Sequence, residues 1–145
     1  SGPSLKSVIK EGVFLIKPNL GEFQDLVGRE LKDENDIKSE AYELIAEKCC
    51  QQVVISLGAG GALLVNKEKA EFYRPPTVPI KSKVGAGDSM VAGIVLSLAR
   101  GQEMKKAVVY GLAAGSAAVM TPGTELCRKE DTDKLYQEML TEIFE

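Results

Sequence analysis

Gly85-Ala86-Gly87-Asp88 is the segment whose residue types most directly suggest chemistry. Glycines let the backbone turn sharply and bring successive N–H groups together, and a helix starting there adds its partial positive charge. The segment therefore reads as an anion site. Asp88 has two readings. Taken alone, it is an acidic residue in a first helical turn, where the helix dipole favours it. Beside an anion pocket a fixed carboxylate would repel phosphate unless it had a task, and taking a proton from an attacking hydroxyl is such a task. The segment is not a Walker A loop. GxxxxGK[ST] occurs nowhere, and neither Gly58/Gly60 nor Gly85/Gly87 completes GxGxxG, because Leu63 and Met90 occupy the third position.

Two further segments carry suitable groups. Asn19-Leu20-Gly21-Glu22 follows an apolar run. Its spacing fits a capping box, with Asn19 as N-cap and Glu22 three residues on. It also fits a pair of oxygens at the carboxyl end of a parallel strand, where they could hold hydrated Mg²⁺. Lys17 then stands beside them, either as a solvated strand end or as a phosphate-neutralising charge. Ser56-Leu57-Gly58-Ala59-Gly60-Gly61 also follows an apolar run, and its glycines either cradle phosphates or form a turn into a hairpin. If Lys17, Asn19, Glu22, Ser56, Gly58 and the 85–88 segment face one crevice, magnesium, phosphate and base chemistry are all represented.

Composition narrows the alternatives. The 145 residues include no His and no Trp. A Ser-His-Asp system, a His-ligated metal and an imidazole base are therefore excluded within this chain. The three cysteines, Cys49, Cys50 and Cys127, lack CxxC spacing, so they read as packing residues of a protein from a reducing cytoplasm. With Lys+Arg 18, Asp+Glu 21 and a net charge of −3, no basic stripe invites nucleic acid. No run approaches the ~18 to 20 apolar residues of a membrane span, and Ser1 to Lys10 lacks the apolar core of a signal peptide.

The elements that must position these groups follow from periodicity. Val13 to Ile16 and Val53 to Leu57 read as parallel strands buried on both faces. Between them Leu20 to Val27 reads as a short helix, and Ile37, Ala41, Leu44, Ile45 and Lys48 mark a longer one, making a right-handed crossover. Ala62 to Val65 and Glu71 to Tyr73 form a hairpin over Asn66-Lys67-Glu68-Lys69. Arg74 to Val84 is a Pro-rich connection. Val91, Ile94, Val95 and Leu98 then define an amphipathic helix ending near Arg100-Gly101. Met104 to Val119 is a helix with a small-residue face of Ala107, Gly111, Ala114, Gly115 and Ala118, suited to close approach by a helix or a ligand. A last helix starts near Asp131, with Leu135, Met139 and Leu140 inward. Two parallel strands and a hairpin are few for a buried sheet, so the chain is expected to be part of a domain.

The segment Ser82-Lys83-Val84-Gly85-Ala86-Gly87-Asp88-Ser89-Met90-Val91-Ala92-Gly93 resembles the carboxyl-terminal signature of the ribokinase/PfkB family of sugar kinases, and Asn19-Leu20-Gly21-Glu22 is similar to that family's NxxE element. The resemblance spans nearly the whole chain, including Gly111 to Thr124. It implies an α/β, ribokinase-like three-layer α/β/α fold, present in part. Residues 1–145 would be the carboxyl-terminal nucleotide-binding portion of a single kinase domain, without the amino-terminal sugar-binding half and lid. The implied reaction is transfer of the γ-phosphoryl of MgATP to a sugar phosphate, with fructose 6-phosphate as the expected acceptor. Fructose 1-phosphate, tagatose 6-phosphate or another sugar are alternatives, as is a nucleotide-binding module inactive by itself.

The resemblance also implies roles. Asp88 would be the general base, with the amides of Gly85, Ala86 and Gly87 as the anion hole. Asn19 and Glu22 would position Mg²⁺ through water, with Lys17 near the phosphates. Ser56, Gly58 and Gly61 would contact ATP phosphates, and Leu112 and Ser116 would border the adenine. A monovalent cation, K⁺, would sit among Ser82, Val84, Ala118, Thr121 and Gly123. Lys83 departs from the Thr usual in the family at that position. The implied setting is a cytoplasmic homodimer.

Overall fold

The computed structural model describes residues 13–48, 50–57, 61–76, 78–79, 86–120 and 129–144. The chain divides into two compact units, Ser1–Tyr73 and Arg74–Glu145. The first carries a four-stranded sheet in the order β1 (Val13–Ile16), β2 (Cys50–Ser56), β3 (Ala62–Asn66), β4 (Ala70–Tyr73). β1 pairs parallel with β2, Ile16 opposite Val53, and β2 pairs antiparallel with β3, Val53 opposite Val65 and Ile55 opposite Leu63. The β3–β4 turn is closed by Asn66, whose Oδ1 accepts the amides of Glu68 and Lys69 at 2.9 and 3.1 Å.

Between β1 and β2 lie α1 (Leu20–Val27) and α2 (Glu34–Ala46). Asp33 caps α2 by accepting the Asp36 amide at 2.8 Å, and α1 stops at Gly28, whose φ of 78° suits a residue without Cβ. Phe23 of α1 and Ile37 and Ala41 of α2 pack with Ile16, Val53, Ile55, Leu63 and Val65 into one core. Complete burial of a side chain such as Phe23 contributes about 1.5–3 kcal/mol. Three expectations are corrected. β1 is not buried on both faces, since Phe14 is 51% exposed, whereas Val53, Val54 and Ile55 of β2 are fully buried. Lys48 is not helical: α2 ends at Ala46, and Lys48 takes a left-handed φ of 61° to turn the chain toward β2. β2 also begins earlier than the apolar run, at Cys50, because ladder bonding to β1 extends through polar Gln51 and Gln52.

The second unit holds α3 (Ala86–Ala99), α4 (Met104–Val119) and α5 (Lys129–Phe144). α3 ends in a Schellman turn around Gly101, φ 83°, with the Gly101 amide on Leu98 O at 3.0 Å and the Gln102 amide on Ser97 O at 3.1 Å. α4 has the expected bounds and is buried almost all round. The face of α3 differs from expectation: Met90, Gly93, Ile94 and Ser97 are buried, while Val91 and Val95 are exposed. The reason is that α3 meets α4 through glycine, a Cβ at Gly93 falling 3.0 Å from Gly111 Cα. α5 starts at Lys129, two residues before the expected Asp131, and buries Leu135 and Met139. It is held to α4 by an edge-to-face pair, Tyr110 and Tyr136, with centroids 5.0 Å apart, and by the Tyr110 hydroxyl donating to Asp133 Oδ1 at 3.3 Å. Among the described residues no helix is long and apolar enough to cross a membrane.

Candidate functional site

In the first unit the carboxyl ends of β1 and β2 bring Lys17, Asn19 and Ser56 together. The Ser56 amide donates to Pro18 O at 3.0 Å, and Asn19 and Ser56 form one further parallel bridge past the end of β1. Lys17 Nζ donates to Ser56 Oγ at 3.5 Å. A cation and a hydroxyl thus stand side by side at strand ends, in the pattern by which open α/β sheets receive phosphates. Sequence reasoning missed Pro18, whose buried carbonyl keeps the two strands paired beyond their ladder. The available signal was that proline lacks a donor yet retains its acceptor.

Asn19 and Glu22 form a complete capping box. Asn19 Oδ1 accepts the Glu22 amide at 2.8 Å, and Glu22 Oε1 accepts the Asn19 amide at 2.9 Å. Both residues are exposed, and the box uses one carboxylate oxygen of Glu22, leaving further lone pairs toward solvent. Among the described residues no group of three or more Asp, Glu, Cys or His could hold an ion. Two oxygen-bearing side chains fit only a cation that keeps most of its water, as Mg²⁺ does. Downstream, Leu57 N donates to Gly61 O at 2.8 Å and Gly61 has φ 94°, so this glycine is required by the turn whatever else it does.

In the second unit Ala86, Gly87 and Asp88 form the first turn of α3, with Gly87 and Asp88 exposed. Gly87 has helical backbone and no positive φ, and among the described residues a Cβ placed on it would meet nothing within 4 Å. Neither its conformation nor packing against the described residues therefore demands glycine there. The open space lies beside amides that have no intrahelical acceptor, which is the arrangement an anion needs. Leu112 and Ser116 lie one turn apart on α4, both buried, and Ala118 is buried near its end. Gly58, Ser82, Lys83, Val84, Gly85, Thr121 and Gly123 lie outside the described residues, as do Cys49 and Cys127; Cys50 is buried.

Residues 1–131 match the family described as pfkB family carbohydrate kinase. The chain belongs to that family. It is 42% identical over 137 residues to ATP-dependent 6-phosphofructokinase isozyme 2 of Escherichia coli K12, covering 94% of this chain and 44% of that one. It is also 37% identical over 119 residues to the 1-phosphofructokinase of the same organism, covering 82% of this chain and 38% of that one. Among solved structures, Escherichia coli phosphofructokinase-2 in complex with potassium superposes with a TM-score of 0.91 at 41% identity, over 96% of this chain and 45% of that one. Ribokinase from Thermotoga maritima shares the fold at 23% identity, TM-score 0.73, over 85% of this chain and 42% of that one. The fold is thus ribokinase-like α/β, and this pfkB family chain spans about half the length of the relatives it matches.

Proposed function

We propose that this chain is the carboxyl-terminal, nucleotide-binding portion of an ATP-dependent sugar-phosphate kinase whose acceptor is fructose 6-phosphate. The observation that carries the reading is the first turn of α3, where Gly87 is a glycine that neither its backbone nor the described residues around it require, and Asp88 is an exposed carboxylate next to it. Asp88 takes the proton of the attacking sugar hydroxyl, and the amides of Gly85, Ala86 and Gly87 receive the charge that builds on the transferred phosphoryl. Lys17 and Ser56 neutralise and bind ATP phosphates together with Gly58 and Gly61, and Leu112 and Ser116 border the adenine. Mg²⁺, held through water by Asn19 and Glu22, would neutralise phosphate charge. A potassium ion among Ser82, Val84, Ala118, Thr121 and Gly123 is supported by the potassium complex of the Escherichia coli relative.

Fructose 6-phosphate is favoured by the 42% identity to the 6-phosphofructokinase. A second reading, fructose 1-phosphate as acceptor, draws on the 37% identity to 1-phosphofructokinase. A substrate panel on the intact enzyme separates them, with the larger kcat/KM naming the acceptor. The base assignment is tested by Asp88→Asn in that enzyme. Turnover should fall by ~10²-fold or more, as expected for loss of a positioned general base. Turnover within about threefold of the parent would sink the assignment.

A further inference from the structure

We infer that Gly115 is a positioning residue: because it has no side chain, the Ala86 carbonyl can rest against α4, which sets the height of the α3 first turn carrying Asp88. The inference rests on the reading of Asp88 as base. A Cβ on Gly115 would stand 3.2 Å from Ala86 O. One turn further, a Cβ on Gly111 would stand 2.8 Å from Met90 O and 2.6 Å from Ile94 Cγ1. Glycines four residues apart on α4 thus face carbonyls four residues apart on α3, in antiparallel order, with Gly93 completing the contact from the α3 side. Ile94 could swing a methyl group aside. A carbonyl bonded within a helix cannot, so a methyl at position 115 must displace the turn itself by a few tenths of an ångström.

Among the described residues no other close contact accounts for glycine at 115. Its φ is not positive, and a glycine inside a helix costs roughly 0.5–1 kcal/mol relative to alanine. Gly111 shares the contact but acts at Met90, beyond the turn that bears the chemistry, so Gly115 is the residue whose effect falls on Ala86 and Asp88. Small displacements matter there because proton acceptance and oxyanion stabilisation both depend on fixed geometry.

The test compares Gly115→Ala, Gly93→Ala, Asp88→Asn and the Gly115→Ala/Asp88→Asn double variant in the intact enzyme, measuring kcat, KM and thermal midpoint. Gly115→Ala should lower kcat by about tenfold with KM for both substrates within about twofold. Gly93→Ala, which strains the helix contact away from the first turn, should lower the thermal midpoint at least as much yet keep kcat. In the Asp88→Asn background the Gly115→Ala change should cost clearly less than it does alone, because part of its effect falls on Asp88 and is already lost there. The inference is overturned if the two losses multiply, if Gly93→Ala loses as much kcat as Gly115→Ala, or if Gly115→Ala does not fold. An unchanged kcat in Gly115→Ala beside an inactive Asp88→Asn rejects the positioning role alone. An active Asp88→Asn rejects the base reading and the inference with it.

Discussion

At Gly87 the requirements of fold and of chemistry separate most clearly. Its helical backbone and the open space around it mean that alanine fits without strain. Gly87→Ala should therefore raise stability by about 0.5–1 kcal/mol, read from the denaturation midpoint, while lowering kcat in the intact enzyme. A substitution that leaves activity intact would return Gly87 to the status of an ordinary helix residue. Asn19 and Glu22 illustrate what spacing alone leaves open. Three residues is the separation that a capping box demands, and the structure contains that box, yet the same separation puts two oxygens at a strand end. Their residue types were legible; which of their oxygens the backbone occupies was not. Gly61 was legible only as one of a cluster, and its φ of 94° shows that the turn requires it.

Elements built on long apolar runs were read well, and contacts made by glycines were not. Met104–Val119 was recoverable because its apolar run is too long for a strand and is bounded by Gly101 and Pro122-Gly123. The buried face of α3 was misassigned because periodicity counts large side chains, while the contact is made by Gly93 and Gly111, which carry none. Pairing through α4 and α5 has a pH signature. The Asp133 carboxyl is held below its ordinary value, first by its hydrogen bond to Lys129, at 2.6 Å, against a smaller opposing effect of burial. Burial, then Asp133, pushes the Tyr110 hydroxyl up. A lowered acid favours folding above its unfolded value of 3.8 and loses that contribution as pH falls through the folded one. A raised tyrosine does so below 10.0 and loses it as pH climbs through the folded value. Asp133→Asn should thus lower the thermal midpoint near neutrality, with the difference from the parent closing below pH 3.8. A difference that persists unchanged in acid would exclude an electrostatic origin.

On the scale of the whole chain, apolar side chains reach solvent in both units: Phe14 on β1, and Val91, Val95 and Leu96 on α3, with Val95 57% exposed. Among the described residues β1 pairs with one strand only, so one of its edges carries unpaired backbone groups. The chain by itself should self-associate, seen by light scattering, and Val95→Lys together with Phe14→Lys should reduce the associated mass without changing the fold. A monomeric parent chain would refute this. The amino-acid sequence by itself determined the chemistry on offer: carboxylates, lysine and glycine amides without a histidine, on elements whose order matches a pfkB kinase. It could do so because residue types and helical or strand periods are local properties. Only the tertiary structure decided that Pro18 O joins Ser56 to the end of β1, that Phe14 and Val95 face outward, and that Gly115 stands against Ala86. Those are distances between residues far apart in sequence, set by how backbones pack, and a glycine that admits a carbonyl carries no side chain by which periodicity could announce it.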